Sequence, residues 1–316
     1  MNKLGENVNE TDLQKELDVN AGEGKTLVTD NYDDTLNVLF YDTKHNFTVE
    51  DDNISYMGII PDAPADAVAR INTTYYPSLQ EAIKAVADNK RTTIVLLKDI
   101  SENVTIPENK NIFLNLSNHT LTNSGDVHSI TVNGNLYLKN GCMNGNYNSD
   151  IDGLIFINKN AELKILEGVK LKVENGTNVI VNDGLLSISN NSEISSTASG
   201  RPSISTRAGS KTTITGGTFT STRSNTITNN GELEISGTAE ISGTAGSPTI
   251  SNNSGAKATI TGGTIKATRS YSFQNLSGGI ANITGGTFTS SNSYAIHNLG
   301  TISVSGATIN GNTYGI

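Results

Sequence analysis

The 316-residue chain has a single cysteine, no tryptophan, 6 prolines and an aromatic content of only 5%. One cysteine excludes a disulfide framework and a cysteine-ligated zinc cluster. The longest apolar runs, Val38 to Tyr41 and Ile94 to Leu97, fall far short of the roughly 18 residues a membrane-spanning helix needs. A net charge of −9 argues against nucleic acid as a partner. Only 35% of residues are hydrophobic and 31 are glycine. With abundant Ser, Thr and Asn, that composition suits either disorder or a repetitive β architecture.

Aspartate is absent from Leu185 onward, where four glutamates, Glu193, Glu232, Glu234 and Glu240, face seven lysines and arginines. The negative charge therefore belongs to the part of the chain before Leu185, and two regions of different character are joined in one polypeptide. Residues 1–66 read as a small α+β domain. Thr11-Asp12-Leu13-Gln14 has capping-box spacing, and Leu13 and Leu17 share a face, which predicts a short helix over about 11–18. Thr26 to Thr29, Thr35 to Tyr41 and Asn53 to Ile59, separated by Asp- and Asn-rich turns, predict a three-stranded meander. This helix-then-meander order resembles the globular head of bacterial pilin-like surface proteins. Pro61-Asp62-Ala63-Pro64-Ala65-Asp66 is a linker signal and sets the boundary, leaving 67–316 as a second domain.

That second domain opens with Ser78-Leu79-Gln80-Glu81, another capping box, followed by Leu79, Ala82, Ile83 and Val86 on one helical face. A helix over about 78–88 is placed to cover the open end of the β structure that begins at Thr93.

The repeat is the most informative feature. Ile204, Ile227, Ile250, Phe273 and Ile296 follow one another at steps of 23 residues. Each is followed by a second strand, centred on Ile214, Ile235, Ile260, Ile283 and Val304, and by a third around Phe219, Ile265 or Phe288. Weaker copies extend back through Ile188, Ile165, Leu138 and Leu116. Three short strands per period, with no helix, exclude a propeller blade and a leucine-rich repeat. They predict a right-handed single-stranded parallel β-helix of about nine coils, each about 23 residues long, with a narrow aliphatic core.

Asn229, Asn252, Asn275 and Asn298 recur at the same step, with Thr206 one step earlier and Asn182 in the coil before that. Stacked about 4.8 Å apart, their amides form a structural hydrogen-bonded ladder inside the solenoid.

Tyr76 to Ile83, Leu96-Leu97-Lys98-Asp99-Ile100, Leu114 to Leu121 and the Ile-Thr-Gly-Gly-Thr-Phe repeats resemble right-handed parallel β-helix proteins. They look like segments of pectate-lyase-like or adhesin-like surface proteins of Gram-positive gut bacteria. The resemblance implies an extracellular or cell-surface location, with any signal or anchor segment outside this chain. It also implies glycans or host and cell-surface components as partners. Similar folds serve lyases, hydrolases and non-catalytic adhesins, so function must be sought in side chains.

Catalytic chemistry would need clustered carboxylates and bases on one sheet. Glu232 and Glu234 share an outward face, but a fixed 23-residue step sets small residues such as Ala256 beside them. Asp150 and Asp152 lie in the polar stretch Asn144 to Asp152, which could contact a cation or sugar but lacks the glutamate of an EF-hand loop. Arg223 and Arg269 share the context Thr-Arg-Ser two coils apart and could flank a groove. His119, His297 and Cys142 stand alone in the repeat, without a partner at metal or triad spacing. Thr215, Ser236, Thr261, Thr284 and Ser305 form an outward stripe too irregular for a flat ice- or sugar-binding array. No catalytic residue, metal ligand or cofactor is assigned. The expectation is a non-catalytic, adhesin-like structural or binding module, with a polysaccharide lyase or glycoside hydrolase of the pectate-lyase-like class as the alternative. The last coil pattern, ending at Thr313-Tyr314-Gly315-Ile316, predicts an open sheet edge and hence a tail-to-tail homodimer or continuation in a longer protein.

Overall fold

The computed structural model describes residues 26–32, 35–41, 45–50, 53–59, 63–147, 152–189 and 191–316. The chain divides into two compact units, Met1–Pro77 and Ser78–Ile316. In the first, β1 (Thr26–Tyr32), β2 (Thr35–Tyr41), β3 (His45–Glu50) and β4 (Asn53–Ile59) pair antiparallel in chain order. The meander thus has a strand, β3, that the sequence pattern does not announce, because its polar run offers only Phe47 and Val49 at strand spacing. The helix expected at 11–18 lies outside the described residues. Ala69–Ile71 and Thr74–Tyr76 form a separate antiparallel hairpin.

The second unit opens with α1 (Leu79–Ala85). Ser78 caps it as its spacing predicts, its hydroxyl accepting from the Glu81 N–H at 3.1 Å. A second cap comes from far along the chain: both carboxylate oxygens of Glu102 accept, at 2.9 Å, from the N–H groups of Leu79 and Gln80. A carboxylate there also complements the helix dipole. The helix stops at Val86, which is extended. Leu79, Ala82 and Ile83 are wholly buried. Gln80 accepts from the Thr105 N–H at 2.8 Å and donates to the Thr105 carbonyl at 3.2 Å. A side-chain amide thereby stands in for a neighbouring strand at the first edge of the solenoid. Lys110 braces the helix end through the Val86 carbonyl and Asp88, and its ammonium holds the Asp88 carboxyl below the usual range.

After α1 the chain visits three parallel sheets in rotation. Sheet I runs from Arg91–Leu96 to Thr301–Val304. Sheet II has 10 strands, from Ile100–Ser101 to Thr308–Gly311, and sheet III has 9, from Val104–Ile106 to Ile296–Asn298. This is a parallel β-solenoid of about nine turns. Strands such as Thr218–Ser221 alternate exposed and buried positions. Parallel sheets are usually covered on both faces. Here each sheet packs its inner face against the other two and leaves the outer face solvated.

The inner columns follow the strand register. Sheet III stacks Val104, Ile130, Ile155, Ile180, Ile204, Ile227, Ile250, Phe273 and Ile296. Sheet II aligns Phe219, Ile241, Ile265 and Phe288. In sheet I the residue that pairs with Leu138 is Leu114, in turn paired with Ile94. Leu116 instead fills the following corner. Each fully buried aliphatic or phenyl side chain contributes roughly 1.5–3 kcal/mol of transfer free energy, and this repeated term holds the coils of the solenoid together.

From Ile204 onward the period in sheet III is a constant 23 residues, but the corners between sheets differ in length. Asn229 reaches the sheet I strand at Glu232 through Asn230-Gly231, whereas Asn252 reaches Lys257 through a corner twice as long. The short corner leaves no room for a side chain: a Cβ at Gly231 would sit 2.4 Å from the Arg207 carbonyl oxygen and 2.5 Å from that of Ser210. Gly184 and Gly300 occupy equivalent corners with the same clash.

Gly231→Ala is therefore expected to destabilise the solenoid by roughly 2 kcal/mol or more. Gly246→Ala, at a position with nothing within 4 Å of the added carbon, leaves stability nearly unchanged. Denaturant midpoints of the two variants check this.

Candidate functional site

The inner column of sheet III that carries the asparagines begins as a dry one. Ile106, Val132 and Ile157 occupy it in the first three coils, and Asn182 takes over directly above Ile157. From Asn229 the ladder is continuous. Asn229 Nδ2 donates to Asn252 Oδ1 at 2.7 Å, Asn252 to Asn275 at 2.8 Å, and Asn275 to Asn298 at 2.8 Å. The second amide hydrogen of each rung reaches a backbone carbonyl of the next coil: Lys257, Ile280 and Thr301 at 2.9, 3.1 and 3.0 Å. Asn182, Asn229, Asn252 and Asn275 are wholly buried, so these bonds replace the water that folding removes.

Thr206 interrupts the column, since a hydroxyl cannot span a coil. Its Oγ1 lies 2.8 Å from Thr212 Oγ1, and Asn182 Nδ2 donates to that same Thr212 oxygen at 3.0 Å. Thr212 sits in the sheet I column where Leu186 and Leu233 lie on either side. Two threonines thus satisfy each other where the amide chain lapses.

Further polar columns run outside this one. Asn253 Nδ2 donates to Asn230 Oδ1 at 2.8 Å, and Asn158 donates to Asn133. Asn175 donates to Asn146 at 3.3 Å, and Asn146 in turn bonds Asn123 through its backbone. Their signal, Asn at coil spacing, is present in the sequence but diluted by asparagines in ordinary turns.

The candidate chemical residues disperse into braces. Glu232 and Glu234 do share the outward face of sheet I, but the residues beside them are Lys211 and Thr213 on one strand and Lys257 and Thr259 on the other. Ala256 lies in the corner. Glu234 meets Lys211 at 2.7 Å and Thr213 Oγ1 at 3.3 Å, and Glu232 meets Lys257 at 3.5 Å. The unequal corners move the register off a single constant step, which is why the lysines escape notice in the sequence. Asp152 is bound to Arg207 at 2.9 Å, and the same guanidinium reaches Asp183 at 3.2 Å and covers the Phe156 ring at 5.3 Å. Asp150 lies outside the described residues. Arg223 and Arg269 are exposed in turns between sheets II and III, and no carboxylate joins them there among the described residues.

His119 and His297 are not solitary. His119 Nδ1 lies 3.4 Å from Asp99 Oδ1, an oxygen that also accepts from the Thr120 N–H at 2.8 Å. His297 stacks on Tyr271 with centroids 4.5 Å apart, and its Nδ1 is 3.1 Å from Gln274 Nε2. Tyr271, Tyr294 and Tyr314 form a column of near-parallel rings at 6.2 and 5.6 Å. Tyr271 and Tyr294 stand one repeat step apart. The only cysteine, Cys142, is half-buried on the outer face of sheet II, opposite Thr120. Among the described residues no group of three or more His, Cys, Asp or Glu is arranged to hold a metal ion, and no helix is long and apolar enough to cross a membrane.

One buried group is left incomplete. Tyr147 is 2% exposed and burial pushes its phenol up to about 12. The Ser129 hydroxyl opposes that shift, yet neither oxygen has a partner in hydrogen-bond geometry.

Two outcomes follow from these columns. Asn252→Ala strands Asn229 Nδ2, Asn275 Oδ1 and the Ile280 carbonyl, and is expected to cost roughly 3 kcal/mol; Asn252→Thr, which keeps one polar atom, costs less, as thermal or denaturant unfolding will show. The Tyr147 pKa is higher in the folded state than its ordinary 10.0. Its contribution is therefore full below pH 10 and lost as pH rises through about 12. Tyr147→Phe is expected to flatten the loss of stability across that alkaline window, followed by circular dichroism.

Compared with known proteins, the chain matches no protein-family model, no curated protein and no solved structure.

Proposed function

We propose that this chain is a non-catalytic structural and binding rod of the adhesin-like, extracellular or cell-surface class, presenting its solvated strands and turns to glycans or other cell-surface components. One observation carries the reading: the candidate acids among the described residues are bound to basic residues one or two coils away. Glu234 to Lys211, Glu232 to Lys257, and Asp152 and Asp183 to Arg207 are bridges along the stack. General acid and base catalysis needs carboxylates converging on a shared point where a substrate bond can sit. Carboxylates that run along the rod, each tied to its neighbour, brace the coils instead. The outer faces between them are rich in Ser, Thr and Asn, whose hydroxyls and amides can hydrogen-bond sugar hydroxyls without a large desolvation cost.

Incubation with a panel of pectic, uronic and neutral polysaccharides, read by mass spectrometry, is expected to release no oligosaccharide. A glycan array and a bacterial or epithelial cell-binding assay are expected to show retention on at least one surface. Oligosaccharide release that disappears in Glu234→Gln would replace this reading with the enzymatic one, and uniform absence of binding would remove its recognition half.

A further inference from the structure

The cations of the later coils fall into two sets. Lys211 and Lys257 are tied to Glu234 and Glu232 on the outer face of sheet I. Arg223, Lys266 and Arg269 lie elsewhere, on sheet II and in the turns that lead from it to sheet III, and all three are exposed. Among the described residues no carboxylate or carbonyl holds their side chains. Glu240, the acid nearest to them in sequence, opens its sheet II strand at the end away from those turns, and no acid follows it before His297.

The two arginines are in register. Arg223 and Arg269 stand four residues before Ile227 and Phe273, inner residues two steps apart on sheet III. In the coil between them that place belongs to Gly246, where an added Cβ meets nothing within 4 Å. The arginines are thus two coils, about 9.6 Å, apart along the stack, with open space between. The support beneath is fixed, because the Thr226 and Thr249 hydroxyls donate to sheet II carbonyls at 2.7 and 2.8 Å. Exposed Thr222 and Thr268 precede the two arginines. Beside Arg269, the half-buried rings of Tyr271 and His297 stack with centroids 4.5 Å apart.

We propose that these turns bind an acidic polysaccharide laid along the stack, one that carries a single carboxylate or sulfate per disaccharide. The inference rests on the glycan-binding role proposed above and names the class of glycan. A guanidinium takes either anion through paired, charge-assisted hydrogen bonds. One coil advances the stack by about the length that one sugar ring adds to an extended polysaccharide, so two coils match one disaccharide. An acid on alternate sugars therefore meets Arg223 and then Arg269. An acid on every sugar would set the middle one against Gly246, which has no side chain to receive it. Thr222 and Thr268 offer hydroxyls to the sugars, and Lys266 adds to the local positive field. The net charge of −9 does not oppose this, since residues from Leu185 onward carry seven lysines and arginines against four glutamates.

The test is surface plasmon resonance of the full chain on hyaluronan, with a carboxylate on every second sugar, on polygalacturonate, with one on every sugar, and on neutral dextran. Hyaluronan is expected to bind most tightly, and less so as salt rises. Arg223→Ala/Arg269→Ala should weaken that binding roughly tenfold or more, with an unchanged circular dichroism spectrum. Lys257→Ala, which removes a positive charge from sheet I, should change it by roughly twofold at most. Gly246→Arg, which sets a third guanidinium in the open space, should raise affinity for polygalacturonate more than for hyaluronan, and decides alone if the double variant fails to fold. Dextran bound as tightly as hyaluronan, or hyaluronan binding unmoved by the double substitution, would overturn the inference and leave the glycan-binding role standing. Single-stranded DNA bound as tightly as hyaluronan would show a surface for polyanions in general and would overturn it too. Retention of no glycan would overturn both.

Discussion

Stacking at about 4.8 Å per coil is the constraint on which everything else in the solenoid depends. Whatever occupies a position in one coil is met by the same position in the next, so only groups that tolerate their own repetition can form a long column. Aliphatics and phenyl rings do, as Ile204 to Ile296 show. Amides do because each is donor and acceptor at once, as Asn229 to Asn298 show. Carboxylates do not, since like charges at coil spacing repel. Acidic residues are accordingly seated where an adjacent coil supplies a cation, as in Lys170 with Glu193, Lys257 with Glu232 and Arg207 with Asp183. Composition follows from the same constraint: polar, neutral and small residues are what a stacked corner accepts.

What was legible in the sequence is what repeats at a constant step or is local. The sheet III column from Ile204 to Ile296 and the asparagine ladder from Asn229 to Asn298 keep one interval, and Ser78 announces α1 through a capping box at its own start. What was hidden needs knowledge of the corners. The register sets Glu232 beside Lys211 on one strand and Lys257 on the other, through corners of unequal length, and no single step aligns both. The bridges then form from Glu232 to Lys257 and diagonally from Glu234 to Lys211. Leu114 takes the column position expected of Leu116 because a corner residue can be as buried as a strand residue. Glu102 and Gln80 were invisible because a cap or an edge partner supplied from another coil has no local pattern. His297 looked solitary because its partners, Tyr271 and Gln274, sit in the previous coil among positions that the aliphatic repeat does not mark.

Stacking also decides which side chains are free of structural duty, and so which could serve the proposed binding role. Inner columns are committed to the core, and the corners between sheets III and I are committed to the ladder and to glycines such as Gly231, which admit no side chain. The outer faces of sheets I and II carry the charge braces. The turns between sheets II and III are different. Arg223, Gly246, Arg269 and Asn292 succeed one another there, changing in charge and size from coil to coil. The strands on either side are held by Ser203, Thr226 and Thr249, whose hydroxyls donate at 2.7–2.8 Å to sheet II carbonyls of the next coil. The flanking strands are thus fixed from inside the corner, while of the turn residues named only Asn292 bonds a neighbouring coil, donating to the Thr268 carbonyl at 2.9 Å. Under the proposed binding role, these turns, which vary over a repeated support, are the part of the solenoid on which selection for a ligand can act.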